Sequence, residues 1–224
     1  MSGLGSTMML RAAAAPRRRA IFATLMTALA GFLDAVGYVQ LQHFYVSFMS
    51  GNSTQFGMAV ARANWSDVLL AGVVIGSFVV GACLATIICE VSNRFEILAV
   101  LNSELLVFLV ALALAVSAYD RTALVLVALA MGAQNTLHQI VAGADVGKGF
   151  ITGTLFALGQ SLAFWLRRRK PISQAASNLL SWLAFIGGAA VGTLVLGAIG
   201  LIAVLAVIAT IYALLIAAIF FGCL

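Results

Sequence analysis

From about residue 20 to the C-terminus the chain is a succession of long apolar runs parted by short polar or basic breaks. A membrane-spanning helix needs about 20 mostly apolar residues. Six runs meet that length: 21–42, 68–88, 97–117, 122–141, 176–197 and 199–221. Two further runs, 44–61 and 149–166, are about 18 residues long, and small polar residues interrupt both. The pattern predicts an all-α, polytopic transmembrane helix bundle. If both shorter runs cross there are eight spans, and if both re-enter there are six spans plus two re-entrant segments. Retention of Lys and Arg on the cytoplasmic side does not choose between the two, because each arrangement keeps as many basic residues inside. Eight spans are expected, because each short run ends on a basic residue, Arg62 or Arg167.

The runs also repeat. GFLDAVGY (31–38), SGNSTQFG (50–57) and IGSFVVG (75–81) return in the same order as GAQNTLHQ (132–139), TGTLFALG (152–159) and IGGAAVG (186–192), at offsets of 101, 102 and 111 residues. The chain reads as a duplicated unit, with repeat 1 at about 21–117 and repeat 2 at about 122–221. Repeats of this kind occur in transporters, in parallel or inverted arrangement, with the substrate site near the bilayer midplane where the repeats meet.

Composition sharpens the class. Of 224 residues 63% are hydrophobic and 8% charged, against about 25% charged in soluble domains. The expectation is one integral membrane domain over residues 17–224, preceded by a disordered cytoplasmic tail over 1–16 and partnered by the lipid bilayer. The net charge of +5 comes from basic residues beside apolar runs, so it reads as a topology signal and not as a nucleic-acid surface. Arg17 to Arg19 and the run after them resemble a signal peptide, but no A-x-A site follows and the run continues, so an uncleaved first span is expected. Both termini are then cytoplasmic. Cys83, Cys89 and Cys223 show no metal or disulfide spacing and are expected as small core thiols. Trp65, Trp165 and Trp182 fall near span ends, as interfacial anchors do.

Polar residues deep in the apolar runs are the candidates for function. Asp34 lies about 15 residues past Arg19 and Asn135 about 14 past Arg121, roughly 21–23 Å into the membrane. Ser50, Gly51, Asn52, Ser53, Thr54 and Gln55 in the first half, and Thr152, Gly153 and Thr154 in the second, sit where a helix should be most apolar. Non-helical backbone survives at that depth only inside protein or beside a water-filled cavity, and a helix restarting there aims its amides at a polar solute. Tyr38, Gln134, His138 and Gln139 surround the Asp34 and Asn135 positions in sequence. The competing reading is packing: Ser, Thr and Asn join membrane helices by hydrogen bonds, and Gly72/Gly76 and Gly188/Gly192 allow close approach.

Ionisable groups inside a span cost about 2.5–3.5 kcal/mol on insertion scales and mark ion or proton pathways. Asp34 and Glu104 are the two acids well inside apolar runs, hence proton-coupling candidates, with Asp34 preferred and Glu104 placed nearer one end of its span. No Walker loop, dinucleotide fingerprint, GxSxG elbow or HExxH is present, so neither a cofactor nor a metal is expected, and the chain is not expected to be an enzyme. An intramembrane enzyme would need Asp34 and His138 together at a pocket.

The combination of GFLDAVGYV, FYVSFMSGNSTQFG, MGAQNTLHQ and FITGTLFALGQSL resembles the YoaK family of bacterial multi-pass membrane proteins, over nearly the whole chain after residue 20. The resemblance implies a protein of the bacterial inner membrane and carries over no catalytic residue. The function expected from the residues is a secondary transporter or permease for a small polar solute. The alternative is a non-transporting scaffold or partner-binding subunit whose polar residues only join helices. Glycine-rich spans also permit a homo-oligomer.

Overall fold

A computed structural model of the chain describes residues 3–92, 95–142, 151–169 and 171–221, with side chains from residue 20 onward and without those of 138–142. Residues 3–16, expected as a disordered tail, belong to the backbone of α1, while residues 1–2, the side chains up to residue 19 and those of His138 and Gln139, and residues Arg94, Lys148 and Cys223 fall outside that description. Among the described residues the secondary structure is helical throughout: α1 (Gly3–Gln40), α2 (Met49–Ala61), α3 (Trp65–Ser92), α4 (Glu96–Val116), α5 (Asp120–Ala142), α6 (Ile151–Leu166) and α7 (Ser173–Phe220).

Four of these are long and apolar enough to cross a membrane: the Ala20–Gln40 part of α1, α3, α4 and α7. The six long runs expected from sequence all fall on helices, but α5 is less apolar than the rest because Gln134 and Asn135 interrupt it. That helix is sheltered by α1, α3 and α4, which pack against it. α7 has 48 residues, about 72 Å of helix against a hydrocarbon layer of about 30 Å, so it cannot be one straight crossing. It breaks at Gly200, whose φ of 75° and ψ of 172° are non-helical and lie in a region open to glycine alone. Arms of about a bilayer's length lie on either side.

The shorter of the two short runs departs from the expectation of eight full crossings. α2 has 13 residues, about 20 Å of helix, and does not reach across the hydrocarbon alone, while α6 is described over 16 residues from Ile151 onward. Both end in the same turn: Ala63 (φ 52°) after α2 and Arg168 (φ 54°) after α6 are left-handed, and the amides of Asn64 and Arg169 close back onto Ala59 and Phe164. This is the hydrogen-bonded helix stop that satisfies the last free carbonyls.

Close glycine crossings hold the bundle. Gly81 on α3 lies on the carbonyl of Leu129, and Gly132 on α5 lies on that of Phe78. Gly31 on α1 lies on the carbonyl of Phe185, and Gly188 on α7 lies on that of Ala28. In both crossings each glycine sits over the carbonyl three residues before its partner's glycine. The crossings are related by fixed spacings: Gly31 and Ala28 precede Gly132 and Leu129 by 101 residues, while Gly81 and Phe78 precede Gly188 and Phe185 by 107. The aligned sequence segments set Gly81 against Gly192 instead, but Gly192 lies one turn further on, against Phe32. The Gly72/Gly76 pair, expected to pack closely, does not: Gly72 faces only the Phe56 ring and nothing lies within 4 Å of a Cβ at Gly76.

The outward surface is apolar. Leu69, Val79, Leu106, Leu194 and Phe220 are all exposed, and Cys83, expected in the core, also faces outward while Cys89 is half-buried; both are free thiols. Trp65 and Trp165 stand exposed near the start of α3 and the end of α6, where anchors to a lipid interface belong.

A methyl group at a close crossing overlaps backbone that cannot move aside. Gly81→Ala and Gly188→Ala are therefore each expected to destabilise the folded bundle by about 1–3 kcal/mol, read as a lower thermal unfolding midpoint in detergent. Gly76→Ala, in open space, is expected to be neutral or to stabilise by up to about 1 kcal/mol through helix propensity. Equal behaviour of the three variants would refute the crossings.

Candidate functional site

Chain reversal after α1 explains the first cluster of polar residues. Gln42 (φ 55°) and His43 (φ 79°) are both left-handed and turn the chain back along the last turns of α1. Gly37 leaves room for that return, since a Cβ there would meet Val46 and the backbone of Phe44. Residues 44–48 then present their amides to α1, and no helix is there to pair them.

Asp34 is what they meet. Its Oδ1 accepts the N–H groups of Val46 (3.1 Å), Ser47 (2.6 Å) and Phe48 (3.3 Å), and its Oδ2 accepts the Ser47 hydroxyl at 2.7 Å. Four donors thus converge on one buried carboxyl group immediately before α2 begins, where helix amides favour negative charge. Asn52, also buried, closes the other side: its Oδ1 accepts the Tyr45 N–H at 2.8 Å and its Nδ2 donates to the Tyr45 carbonyl at 2.7 Å. Its amide thus pairs Tyr45 as a neighbouring backbone would. Gly51 makes way for the rings of Phe48 and Tyr45, which stack edge-on at 5.2 Å, with Tyr38 beside Tyr45 at 5.0 Å and His43 beside Tyr38 at 4.9 Å.

The remaining polar residues of α2 point elsewhere. Ser50, Ser53 and Thr54 are exposed, and the hydroxyls of Ser53 and Thr54 donate to the carbonyls of Met49 and Ser50, one turn back, at 2.8 and 3.0 Å. Gln55 is half-buried. On α6, Thr152 is exposed while Gly153 and Thr154 are half-buried. Ser161 is buried and accepts from Asn178 of α7 at 3.1 Å, tying the two helices. Asn135, expected to share a site with Asp34, is half-buried and donates to the Met131 carbonyl of its own helix at 2.9 Å. The structure does not gather the expected set into one site: Asp34 and Asn52 build the loop, Ser50, Ser53, Thr54 and Thr152 are exposed, and Thr154 is half-buried.

A second polar cluster lies in the core. Glu104 of α4 is completely buried, and neither of its oxygens has a hydrogen-bond partner among the described residues. It stands eight residues into the 21 of α4, close to the helix midpoint and not near one end as expected. Tyr212 in the second arm of α7 is packed at 4.8 Å on the ring of Phe108, one helical turn beyond Glu104 on α4. The Tyr212 hydroxyl donates to Gln134 Oε1 at 3.3 Å, and Gln134 Nε2 donates to the Met26 carbonyl of α1 at 2.9 Å. α5 and α7 thus pack against α4 in the core, and Gln134 ties them to α1. Tyr212 carried no signal in sequence beyond being one of two hydroxyls, with Thr210, in an apolar run.

Among the described residues no cluster of His, Cys, Asp and Glu could hold a metal ion.

Comparison with known proteins places the chain among relatives of the same kind. A family model described as "Protein of unknown function (DUF1275)" matches residues 22–219. The chain is 30% identical over 181 residues to the UPF0700 transmembrane protein RA0705 of Rhizobium meliloti (strain 1021), covering 79% of this chain and 76% of that one. It is 24% identical over 157 residues to the UPF0700 transmembrane protein YoaK of Bacillus subtilis (strain 168), covering 66% of this chain and 70% of that one. No solved structure matches.

Removing either clamp of the loop leaves backbone groups buried without partners. Asp34→Asn keeps one oxygen for the three amides and sets its NH2 against the Ser47 hydroxyl, which must turn to accept; it is expected to destabilise by about 0.5–1.5 kcal/mol. Asp34→Ala orphans the three amides, at about 1–3 kcal/mol for each. Asn52→Ala orphans both the N–H and the carbonyl of Tyr45, at about 1–3 kcal/mol for each group. Thermal unfolding in detergent checks them, and Ser53→Ala, whose hydroxyl only bonds back to its own helix, is expected to change stability by less than about 0.5 kcal/mol.

Proposed function

The chain belongs to the DUF1275 family of transmembrane proteins, and from its geometry we propose that it is a secondary transporter or permease for a small polar solute, built from two copies of one four-helix unit in the bacterial inner membrane. In this reading α1 to α4 form the first copy. α5, α6 and the two arms of α7 on either side of Gly200 form the second. Both termini lie on the cytoplasmic side, with the arginines that follow α6.

One observation carries the proposal: α2 and α6, whose sequences are interrupted by small polar residues, occupy corresponding places in the two halves and end in the same left-handed turn, one that α4 shares. Interrupted segments at corresponding positions are where transporters built from repeats bind their substrates. The matched spacings of the glycine crossings support the duplication. Ser50, Ser53 and Thr54 on α2, with Thr152 and Thr154 on α6, are the groups offered to a solute, while Asp34 and Asn52 hold α2 in place.

The alternative, a non-transporting scaffold or partner-binding subunit, draws support from the complete engagement of Asp34 and Asn52 within the fold. An enzymatic role has less to recommend it, since the Asp34 carboxyl group is occupied by four donors.

A panel of small polar metabolites, screened by thermal stabilisation of the purified protein, separates the two. Transport predicts at least one compound that raises the unfolding midpoint of the parent chain and raises it less in Ser53→Ala/Thr54→Val, followed by flux of that compound into liposomes. A panel without any stabilising compound, on a folded double variant of parental stability, would favour the scaffold.

A further inference from the structure

We propose that Glu104 is a proton-binding site in the core of the bundle, one that takes up and releases a proton at mid-membrane depth. Its placement does not depend on the transport reading; joined to that reading, it supplies the coupling ion.

The case begins with an inventory of donors. Asp34 meets four, whereas Glu104, equally deep in protein, meets none. The polar neighbours of Glu104 on its own helix are turned away: Asn102 donates to the Leu98 carbonyl and Ser103 to that of Val100. A bare carboxylate in dry hydrocarbon is far more costly than a hydroxyl or an amide left unpaired. A proton removes that charge and needs no extra room, as a metal ion or an ammonium group would.

Every element packed against α4 leaves the same picture. α7 presents Tyr212, the one titratable side chain along its length. α5 presents the neutral Gln134, with Asp120 and Arg121 at its start and the His138 side chain outside the described residues. α3 carries Asp67 and Glu90 near its two ends and the outward or half-buried thiols Cys83 and Cys89. On α4 itself, Glu96 lies in the first turn. No basic group faces Glu104 among the described residues, and a proton is what can balance it there.

Packing does not demand these polar residues. If the chain is duplicated as proposed above, the 101-residue spacing of α1 and α5 sets Gln134 opposite Leu33, and the stacked pair Phe108 and Tyr212, 104 residues apart, sets Glu104 opposite Ile208. Leu33, Phe108 and Ile208 are completely buried. At each of the three places hydrocarbon in one half answers a polar group in the other: Leu33 answers Gln134 and Phe108 answers Tyr212 from the first half, and Ile208 answers Glu104 from the second. Polarity here is an addition to the fold, and the acid is its one unpaired member.

Infrared difference spectroscopy of the full chain in nanodiscs tests this directly. Subtracting Glu104→Gln from the parent at neutral pH is expected to reveal the carbonyl stretch of a protonated carboxylic acid, and transfer to deuterated buffer is expected to shift that band, since the proton exchanges. Absence of the acid band, with carboxylate stretches in its place, overturns the site. A band that stays unshifted in deuterated buffer overturns uptake and release. Should Glu104→Gln fail to fold, Tyr212→Phe replaces it: removal of the neighbouring hydroxyl is expected to displace the acid band, and an undisplaced spectrum counts against the site. A stabilising solute found without any acid band would leave transport standing and remove the proton. The acid band without a stabilising solute would do the reverse.

Discussion

A backbone amide buried in protein has no water to fall back on, and the return of the chain after α1 creates three amides in succession that need a partner. The carboxyl group of Asp34 takes all three, together with the Ser47 hydroxyl. Much depends on this convergence. It allows α1 to stop, the chain to reverse through two left-handed residues, and α2 to begin with its amides already facing an acceptor. Asn52 completes the work by pairing both polar groups of Tyr45 from within α2 itself, so the loop is held from the helix before it and the helix after it. α2 can therefore be short without exposing free backbone.

The bundle around this loop rests on a second constraint, the lack of a hydrophobic drive between helices in lipid. Association then depends on contact area and close approach, and glycine provides both where it meets a partner's carbonyl. Two crossings of identical design, α3 with α5 and α1 with α7, bring together helices far apart in sequence. Each joins a helix of the first half of the chain to one of the second. The halves are consequently interleaved and not simply laid side by side, which makes the central helix α5 the most sheltered and explains why it tolerates Gln134 and Asn135.

Helix positions were largely legible from the apolar runs, because length and hydropathy are properties of local sequence. Boundaries were less so. The run at 44–61 reads as one segment, yet its first residues form a loop, since Asp34 lies ten or more positions upstream and a carboxyl group binding backbone amides leaves no side-chain pattern to detect. For the same reason GFLDAVGY and SGN were recognisable as a motif while their chemistry was misassigned: Asp34, Gly37, Gly51 and Asn52 answer to one loop. Glu104 was singled out for its charge but ranked second, because the repeat partner and neighbours of Asp34 (Asn135, Gln134, His138 and Gln139) are polar too. Tyr212 was invisible, being one hydroxyl in a run of Leu, Ile and Ala whose partner Gln134 lies 78 residues away.

The two buried acids therefore lead to opposite conclusions from the same premise. Burying a carboxyl group is costly, so its surroundings reveal what sustains it. Around Asp34 the surroundings are complete, and every donor belongs to a loop that would otherwise be orphaned; its presence is explained by folding alone. Around Glu104 nothing in the fold requires an acid, and the ring of Tyr212 and the side-chain amide of Gln134 are already bonded to each other and to α1. A residue that stabilises its fold is recognised by its partners. One retained at the fold's expense is recognised by their absence, and of the two acids only Glu104 meets that description.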